Sequence, residues 1–228
     1  MKQGDADLWY RDYWKRLRER EKVIQELHAP RIHWFHSAGF NEVEQKIFEA
    51  SRDRRRVLDF GAGDLQLKQK FLAAGFRGLY ETMDASPEFS HTYTSLDQIH
   101  DRFDAIFCFE VIEHVTLNEY VRLLDRLDGL LETNGILAIS TPNPLSSVPM
   151  WATDAGHIQQ YPLADLVADL RLRGYSVIPY RVCLNHRPRG WAAIRFLVRR
   201  VLCYFLSVDY AEGLLSICTK VGAAKPNH

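Results

Sequence analysis

The feature that most constrains the fold is a glycine turn at the end of a short apolar run. Residues Val57–Asp64 have the sequence VLDFGAGD, in which Asp59 is followed by Gly61 and Gly63. Glycine has no Cβ, so the backbone at such a turn can approach a ligand closely. The helix that follows adds free N–H groups and the positive end of a dipole. The pattern predicts a ligand site in an open α/β sheet; a tight turn without a ligand is the simpler alternative.

Strand and helix patterns alternate from residue 56 to the end of the chain. The predicted strands are Val57–Phe60, Gly78–Met83, His91–Thr94, Phe103–Phe109, Ile136–Ser140, Tyr175–Leu184 and Leu214–Lys220. Between them lie the predicted helices Leu65–Ala74, Leu117–Leu131 and Leu163–Leu172. The apolar run Phe103–Phe109 indicates a central strand, and Pro179 places its own strand at an edge or bulge. The alternation predicts an α/β fold, a doubly wound, mostly parallel seven-stranded sheet.

The segment 1–53 carries no strand pattern and is predicted to form an N-terminal helical cap on a domain that runs from 54 to 228. Aromatic residues near its start recur at helical spacing. Asn41, followed by Glu44, has the signature of a helix N-terminus. His33 and His36 lie in an aromatic stretch after Pro30 and could face a ligand, with ordinary packing as the simpler interpretation.

The composition limits the class of partner and the compartment. Lys and Arg total 29 and Asp and Glu total 29, so no global basic field points to nucleic acid. The four cysteines form no C-x-x-C pair, which indicates buried thiols in a reducing compartment. The N-terminus has no apolar signal region, and no apolar run reaches the roughly 20 residues that span a bilayer. We therefore expect a cytoplasmic protein.

A second acid has the spacing of a ribose ligand. Asp84 ends the second predicted strand, 25 residues after Asp59 (84 − 59). An acid about 20 residues beyond a glycine-rich turn typically accepts hydrogen bonds from ribose hydroxyls. The alternative is that Asp84 caps a helix beginning at Ser86-Pro87.

Taken in order, these motifs resemble the class I S-adenosylmethionine-dependent methyltransferases. The resemblance covers about residues 55 to 182 and rests on the glycine turn, Asp84, and the stretches FDAIFCFEVIEHV at 103–115 and NGILAISTPN at 134–143. More narrowly, the chain is similar to the branch that includes ubiquinone-biosynthesis O-methyltransferases. The resemblance implies a Rossmann-like methyltransferase fold, S-adenosylmethionine as cofactor, and an antiparallel last strand.

The same resemblance implies the cofactor contacts. The methionine part would pass Asp59, Gly61 and Gly63, and Asp84 would hold the ribose. Ser95 with Leu96 would flank the adenine, and Phe109 and Glu110 would lie near the sulfonium. Many family members have a third glycine where this chain has Leu65, which predicts a slightly wider turn.

Four polar residues are candidates for chemistry at the methyl group. Glu110, Glu113 and His114 are spaced i, i+3, i+4 and would share one face of a helix, and His157 follows the fifth predicted strand. A sulfonium methyl is already activated, so the protein mainly aligns an in-line displacement. An oxygen acceptor also needs a general base, for which His157, His114 and Glu110 are the candidates; structural histidines are the alternative.

The same four residues could instead bind a divalent metal. Glu110, Glu113, His114 and His157 resemble the set used by small-RNA 3′-terminal 2′-O-methyltransferases to grip a terminal ribose with a metal. The Glu-x-x-Glu-His stretch also occurs in small-molecule methyltransferases that need no metal. The balanced charge favours the small-molecule side, so we predict a metal-free site.

The segment 187–208 is predicted to be a helical insertion between the last two strands. It contains five arginines, Arg187, Arg189, Arg195, Arg199 and Arg200, among many apolar residues, and has no acid. A helix buried on the domain or in a dimer is the simpler interpretation; the alternative is a helix lying on an anionic membrane. In either case the chain is expected to be a monomer or a homodimer, and the second alternative adds a peripheral membrane contact through 187–208.

The sequence thus predicts a methyltransferase, and the resemblance to O-methyltransferases implies an oxygen acceptor. The acceptor class is a small molecule, a glycan or a lipid-linked precursor. Two alternatives remain at this point: a metal-assisted RNA 3′-terminal 2′-O-methyltransferase, and a cofactor-binding regulatory subunit without activity.

Overall fold

The computed structural model describes the chain except residues 1–7, 35–36, 148–149, 185–189, 207 and 222–228. Its sheet contains the strands β1 (Arg31–Trp34), β2 (Arg56–Phe60), β3 (Leu79–Met83), β4 (Phe103–Phe109), β5 (Leu131–Pro142), β6 (Tyr175–Leu184) and β7 (Gly213–Lys220). Its helices are α1 (Leu8–Arg11), α2 (Tyr13–Glu26), α3 (Glu42–Ser51), α4 (Gln66–Ala73), α5 (Leu117–Leu130), α6 (Leu163–Leu172) and α7 (Trp191–Leu206).

The seven strands form one sheet in the order β1-β6-β7-β5-β4-β2-β3. Only β7 runs antiparallel to its neighbours β5 and β6, and the other pairs are parallel. The mostly parallel sheet and the antiparallel last strand are therefore confirmed. Because β2, β4, β5 and β6 share one direction, their carboxyl ends meet at the same edge of the sheet, where ligands bind in such folds.

Apolar side chains cover both faces of the sheet. On one face, α5 and α6 pack through residues such as Leu124, Leu127 and Leu166. On the other, α3 and α4 contribute Ile47 and Phe71, which is fully buried. A strand covered on both faces needs apolar residues throughout, which explains the nearly uninterrupted run in β4.

One predicted strand is wrong, and one strand was missed. His91–Thr94 makes only a single bridge, between Tyr93 and Met83, before the chain turns into a short 3₁₀ helix at Leu96–Gln98. The seventh strand is instead β1, inside the segment predicted to be helical, and it pairs with the end of β6. This pairing begins at Arg181, so at Pro179 the strand β6 has a neighbour on one side only, as its proline predicted.

The N-terminal helices are fastened to the domain by a buried carboxylate. Asp169 on α6 is 1% exposed and accepts hydrogen bonds from Arg16 Nε (2.7 Å), Arg173 Nε (3.0 Å) and the Tyr120 hydroxyl (3.0 Å). Arg16 belongs to α2, which packs along α6. The carboxylate raises the pKa of Arg173 further above its already high value against the opposing effect of burial. Charges placed this deeply need such partners.

The helix α7 does not have the predicted burial on the domain. Cys203 is buried, but most apolar side chains of α7 are exposed, because one narrow side of the helix meets the protein. Arg187 and Arg189 lie outside the described residues, as does His36. No helix among the described residues is long and apolar enough to cross a membrane.

The arginine network gives a test of how the N-terminal helices are held. Asp169→Asn should lower the free energy of unfolding by about 3–5 kcal/mol, because Arg16 and Arg173 lose their buried counter-ion. Asp125→Asn is the matched control, since its carboxylate also binds Arg173 but is 64% exposed, and should cost about 0–1 kcal/mol. Urea denaturation of both variants measures the difference. Equal effects would contradict the role assigned to Asp169.

Candidate active site

A cleft of about 550 Å³ opens at the carboxyl edge of the sheet. Its walls combine the glycine turn, the end of β4 and the N-terminal segment, with Trp34 from β1 and Val43 and Ile47 from α3. The N-terminal segment therefore covers the cleft as a cap should. His33 alternates with Ile32 and Trp34 along β1, so its side chain projects from the opposite face and does not line the cleft.

The glycine turn is held against the end of β3. The N–H groups of Gly61 and Ala62 donate to the Met83 carbonyl at 2.8 and 3.2 Å. Gly61 has φ +79°, and a Cβ at this position would lie 2.4 Å from Val111 Cγ2. The turn thus requires glycine for both its conformation and its packing.

Leu65 has φ +63° although it carries a side chain. This is the left-handed conformation that glycine adopts without steric cost. The backbone at the start of α4 therefore takes a glycine-like conformation where many family members have a third glycine.

Asp84 fixes the turn from the other side. Its Oδ2 accepts a hydrogen bond from the Gly63 N–H (3.0 Å), and its Oδ1 accepts from the Ser86 N–H (2.8 Å). No helix begins at Ser86, so the helix-cap alternative is wrong, and the second bond closes a turn instead. A carboxylate has about four lone-pair sites, which leaves acceptor capacity for a ligand hydroxyl.

The segment that leads into Ser95 and Leu96 is hydrogen-bonded to Asp84. The Asp84 N–H donates to the carbonyl of Tyr93, two residues before Ser95, at 3.2 Å. Ser95 caps the short helix Leu96–Gln98, and both predicted residues are half-buried. Neither these two residues nor Gly63 and Asp84 line the cleft; all four lie on the β3 side of the turn.

Asp59 is a buried carboxyl that lines the cleft. It is 3% exposed, and its Oδ2 accepts a hydrogen bond of 2.8 Å from the Tyr80 hydroxyl. Burial raises the pKa of Asp59 to about 7, although the Tyr80 hydrogen bond opposes the shift. A cationic group in the cleft would favour the ionised form, so this carboxyl is suited to a ligand ammonium.

Phe109 and Glu110 form the wall where β4 ends. The Phe109 ring stacks on Phe107, with ring centroids 5.6 Å apart. Glu110 has φ +52°, and its Oε1 accepts a hydrogen bond of 2.6 Å from the Ser140 hydroxyl. The prediction that Glu110, Glu113 and His114 share a helix face is wrong, because this left-handed residue separates Glu110 from the short 3₁₀ helix Ile112–His114.

Glu113 lies behind the wall and is fully buried. Thr141 Oγ1 donates to its Oε2 at 3.1 Å, and its backbone carbonyl accepts from the N–H groups of Ile158 and Gln159. Burial raises the pKa of Glu113, and the enclosure of its carboxyl together with the nearby Glu113 charge raises that of Glu110, although Glu110 as a whole residue is exposed. The two carboxyls therefore resist simultaneous ionisation.

The two histidines have different surroundings. His157 lines the cleft, with Nε2 4.0 Å from Glu113 Oε1 and 3.9 Å from Asp154 Oδ2. His114 is exposed outside the cleft lining, and its Nδ1 lies 3.1 Å from the Gly156 carbonyl oxygen. The geometry thus separates the two predicted bases: His157 can reach a substrate in the cleft, whereas His114 supports the loop that carries His157.

Three of the four proposed metal ligands come together. Potential ligand atoms of Glu113, His114 and His157 lie within 4.8 Å of one another. Among the described residues, no N–H or hydroxyl group donates a hydrogen bond to Glu113 Oε1. One carboxylate and two imidazoles are a suitable donor set for a divalent transition metal. Glu110 is not part of this cluster.

Sequence reasoning missed several residues of the site. Trp34 came from an unrecognised strand, and Glu212 lines the cleft from just before β7. Tyr80 belongs to the site because its hydroxyl donates a hydrogen bond to Asp59. In the sequence, the alternation of the apolar residues Ile32 and Trp34 indicates a strand at β1, whereas no local sequence pattern marks Glu212 or Tyr80 as site residues.

Comparison with known proteins agrees with the fold. A family model described as a methyltransferase domain matches residues 35–180. A search of curated proteins found no match. A SAM-dependent methyltransferase from Archaeoglobus fulgidus has 16% identity and a TM-score of 0.60, with 93% of this chain and 100% of that chain covered.

Two further solved structures share the fold. The methyltransferase domain of bacterial CtHen1-CN has 15% identity and a TM-score of 0.53, covering 78% of this chain and 95% of that one. The plantazolicin methyltransferase BamL, solved with a triazolic desmethylPZN analog and SAH, has 13% identity and a TM-score of 0.50, covering 95% and 94%.

The family match spans 146 of the 228 residues (180 − 35 + 1). It includes the glycine turn, Asp84 and the polar wall of the cleft, which Glu110 and His157 form. The predicted Rossmann-like methyltransferase fold and the prediction of an enzyme are confirmed, and a non-catalytic subunit loses its support. The chain belongs to the methyltransferase domain family, whose methyl donor, as predicted, is S-adenosylmethionine.

Proposed function

We propose that the chain transfers the methyl group of S-adenosylmethionine to an oxygen atom of a small molecule, a glycan or a lipid-linked precursor. The observation that carries the proposal is the position of His157 in the cleft that the glycine turn also lines. A base and a cofactor site share one cavity there. The narrower resemblance to ubiquinone-biosynthesis O-methyltransferases supports an oxygen acceptor.

The residues of the turn fit the cofactor. S-adenosylmethionine supplies a methyl group already activated by its sulfonium. A Cβ at Gly63 would meet no other atom within 4 Å, so the turn leaves room for a ligand there, and Asp59 offers a carboxylate to the ammonium of the methionine part. Asp84 would receive the ribose, and Ser95 and Leu96 would flank the adenine, on the β3 side of the turn.

His157 is the residue we assign as general base. Its imidazole would accept the proton of the acceptor hydroxyl as the oxygen attacks the methyl group in line, the carbon–sulfur bond breaks and S-adenosylhomocysteine leaves. Glu113, 4.0 Å behind its Nε2, stabilises the imidazolium that forms. Glu110 presents a second carboxyl to the cleft, where it can orient the acceptor through a hydrogen bond.

A metal-assisted RNA 3′-terminal 2′-O-methyltransferase is the second candidate. The cluster of Glu113, His114 and His157 favours it, since these residues would hold a divalent ion that grips two ribose hydroxyls. The CtHen1-CN domain shares the fold. The equal numbers of acidic and basic residues weigh against an RNA substrate.

The cofactor assignment predicts two losses of affinity. Asp84→Ala should weaken S-adenosylmethionine binding by about 1.5–3 kcal/mol, because a charge-assisted hydrogen bond is lost. Gly61→Ala should weaken it more, since the new Cβ meets Val111 at a 2.4 Å separation. Calorimetric titration with S-adenosylmethionine measures both effects.

The matched control for the glycine change is Gly129→Ala, on α5, where a Cβ would meet nothing within 4 Å. Binding by this variant should equal that of the wild type. Wild-type affinity in both Asp84→Ala and Gly61→Ala would remove the cofactor from this turn.

The catalytic assignment predicts a slow His157→Ala enzyme. Loss of the base should lower kcat by about 10²–10⁴-fold, while cofactor affinity stays nearly constant. The assay follows transfer of a labelled methyl group from S-adenosylmethionine to components of a cell extract. His28→Ala, an exposed histidine after α2, is the control and should leave the rate unchanged.

A chelator separates the two candidate functions in the same assay. A metal-free site predicts an unchanged rate with chelator and labelled product that survives nuclease treatment. Loss of activity that a divalent ion restores, with nuclease-sensitive product, would favour the RNA enzyme instead. An unaffected His157→Ala enzyme would remove this residue from both mechanisms.

A further inference from the structure

The helix α7 presents a continuous apolar surface to solvent. Three of its four aromatic residues, Trp191, Tyr204 and Phe205, are 81%, 83% and 75% exposed. The exposed aliphatic side chains on the same surface are Ile194, Leu197, Val198, Val201 and Leu202. Soluble proteins rarely leave such a patch uncovered, so it marks a surface that meets a partner or a membrane. We refer to these eight residues as the apolar arc.

Arginines border the apolar arc on both sides. At about 100° per residue, the arc covers about 160° of the helix circumference, from Tyr204 round to Leu202. Arg200 lies just beyond one border and Arg195 just beyond the other, and both are exposed. No acidic residue occurs between 191 and 206. The surface is therefore apolar at its centre and cationic at its margins.

The opposite side of α7 is fastened to the domain. Arg199 donates hydrogen bonds to Glu212 Oε1 (2.9 Å), the Tyr210 carbonyl (2.7 Å) and Ser147 Oγ (2.7 Å). Cys203 is buried on the same side, and the exposed Arg200, at the border of the arc, has its guanidinium 5.3 Å from the centre of the Tyr210 ring. These contacts orient the helix so that the apolar arc faces outward.

The apolar arc lies at the edge of the sheet that carries the cleft. The helix α7 follows the carboxyl end of β6, and Arg199 binds Glu212, which lines the cleft. The N–H of Leu184, another lining residue, also donates to Glu212 at 3.0 Å. A surface that α7 meets would therefore lie beside the mouth of the cleft.

We propose that α7 lies in the interface of an anionic lipid bilayer, with the apolar arc in the boundary of the acyl chains. The flanking Arg195 and Arg200 would then reach the anionic headgroups, an arrangement typical of interfacial helices. Trp191 and Tyr204, one near each end, are side chains that prefer this depth. The docking goes beyond methyl transfer and does not depend on it.

A second copy of the chain complements this surface less well. In a two-fold pair of α7 helices, the arginines of both copies would border one interface, and residues 191–206 contain no acid to neutralise them. Anionic headgroups supply the opposite charge directly. The charge pattern thus selects the membrane over a dimer.

Cosedimentation with vesicles tests the proposal. The wild-type chain should bind vesicles of phosphatidylcholine that contain phosphatidylglycerol, bind phosphatidylcholine alone less, and lose binding as salt rises. Leu197→Glu and Phe205→Glu should each weaken binding by about tenfold or more. Arg195→Gln should weaken it by about fivefold and reduce the salt dependence.

The matched control is Leu72→Glu on α4, an exposed helical leucine (51%, against 61% for Leu197) remote from α7 in the chain. It should bind vesicles like the wild type. Quenching of tryptophan fluorescence by brominated lipids gives a second readout, which Trp191→Phe should reduce.

Two results would overturn the proposal. One is the absence of binding to anionic vesicles by the folded wild type. The other is a wild-type dimer, seen in sedimentation, that Leu197→Glu converts to a monomer without any effect on vesicle binding. S-adenosylmethionine affinity, measured in parallel, should stay constant in all these variants, so a failure here is distinct from a failure of the proposed function.

Discussion

The site depends on the hydrogen bonds that hold the glycine turn against the end of β3. The N–H groups of Gly61 and Ala62 donate to Met83, and Gly63 donates to Asp84. These bonds join the turn that follows β2 to the end of β3, and they fix the start of α4. Because Gly61 also packs against Val111, the same turn sets the distance to the wall formed at the end of β4. Buried Asp59 and the polar wall thus face one cleft.

The N-terminal segment and the insertion before β7 border this cleft from two sides. The N-terminal segment contributes Trp34 and α3 as a cover, and its helix α2 is held by the buried carboxylate of Asp169. The insertion before β7 borders the cleft through the Arg199–Glu212 pair. A substrate in the cleft would therefore meet an apolar, aromatic cap on one side and Glu212, which Arg199 of α7 binds, on the other.

The sequence predicted the parts of the fold that are determined locally. The bounds of α6 and β6 agree with the structure at both ends, because their periodic patterns end at Gly174 and after Leu184. Strand β1 was missed because a four-residue edge strand gains its stability from pairing with β6, which local pattern does not reveal. Similarly, the glycine turn and Asp84 have a sequence signature, whereas the left-handed Glu110 and the burial of Glu113 result from tertiary packing. The exposure of α7 also could not be read from its composition, which fits a buried helix equally well.

The most direct test of the account is a crystal structure of the chain with S-adenosylhomocysteine. We predict that the homocysteine part lies in the cleft against Gly61, with its ammonium near Asp59. The ribose hydroxyls should lie within hydrogen-bond distance of Asp84, and the sulfur should face Phe109 on the side of His157. A nucleoside bound away from Asp84, or a sulfur turned away from His157, would contradict the central claim that one cleft joins the cofactor turn to the base.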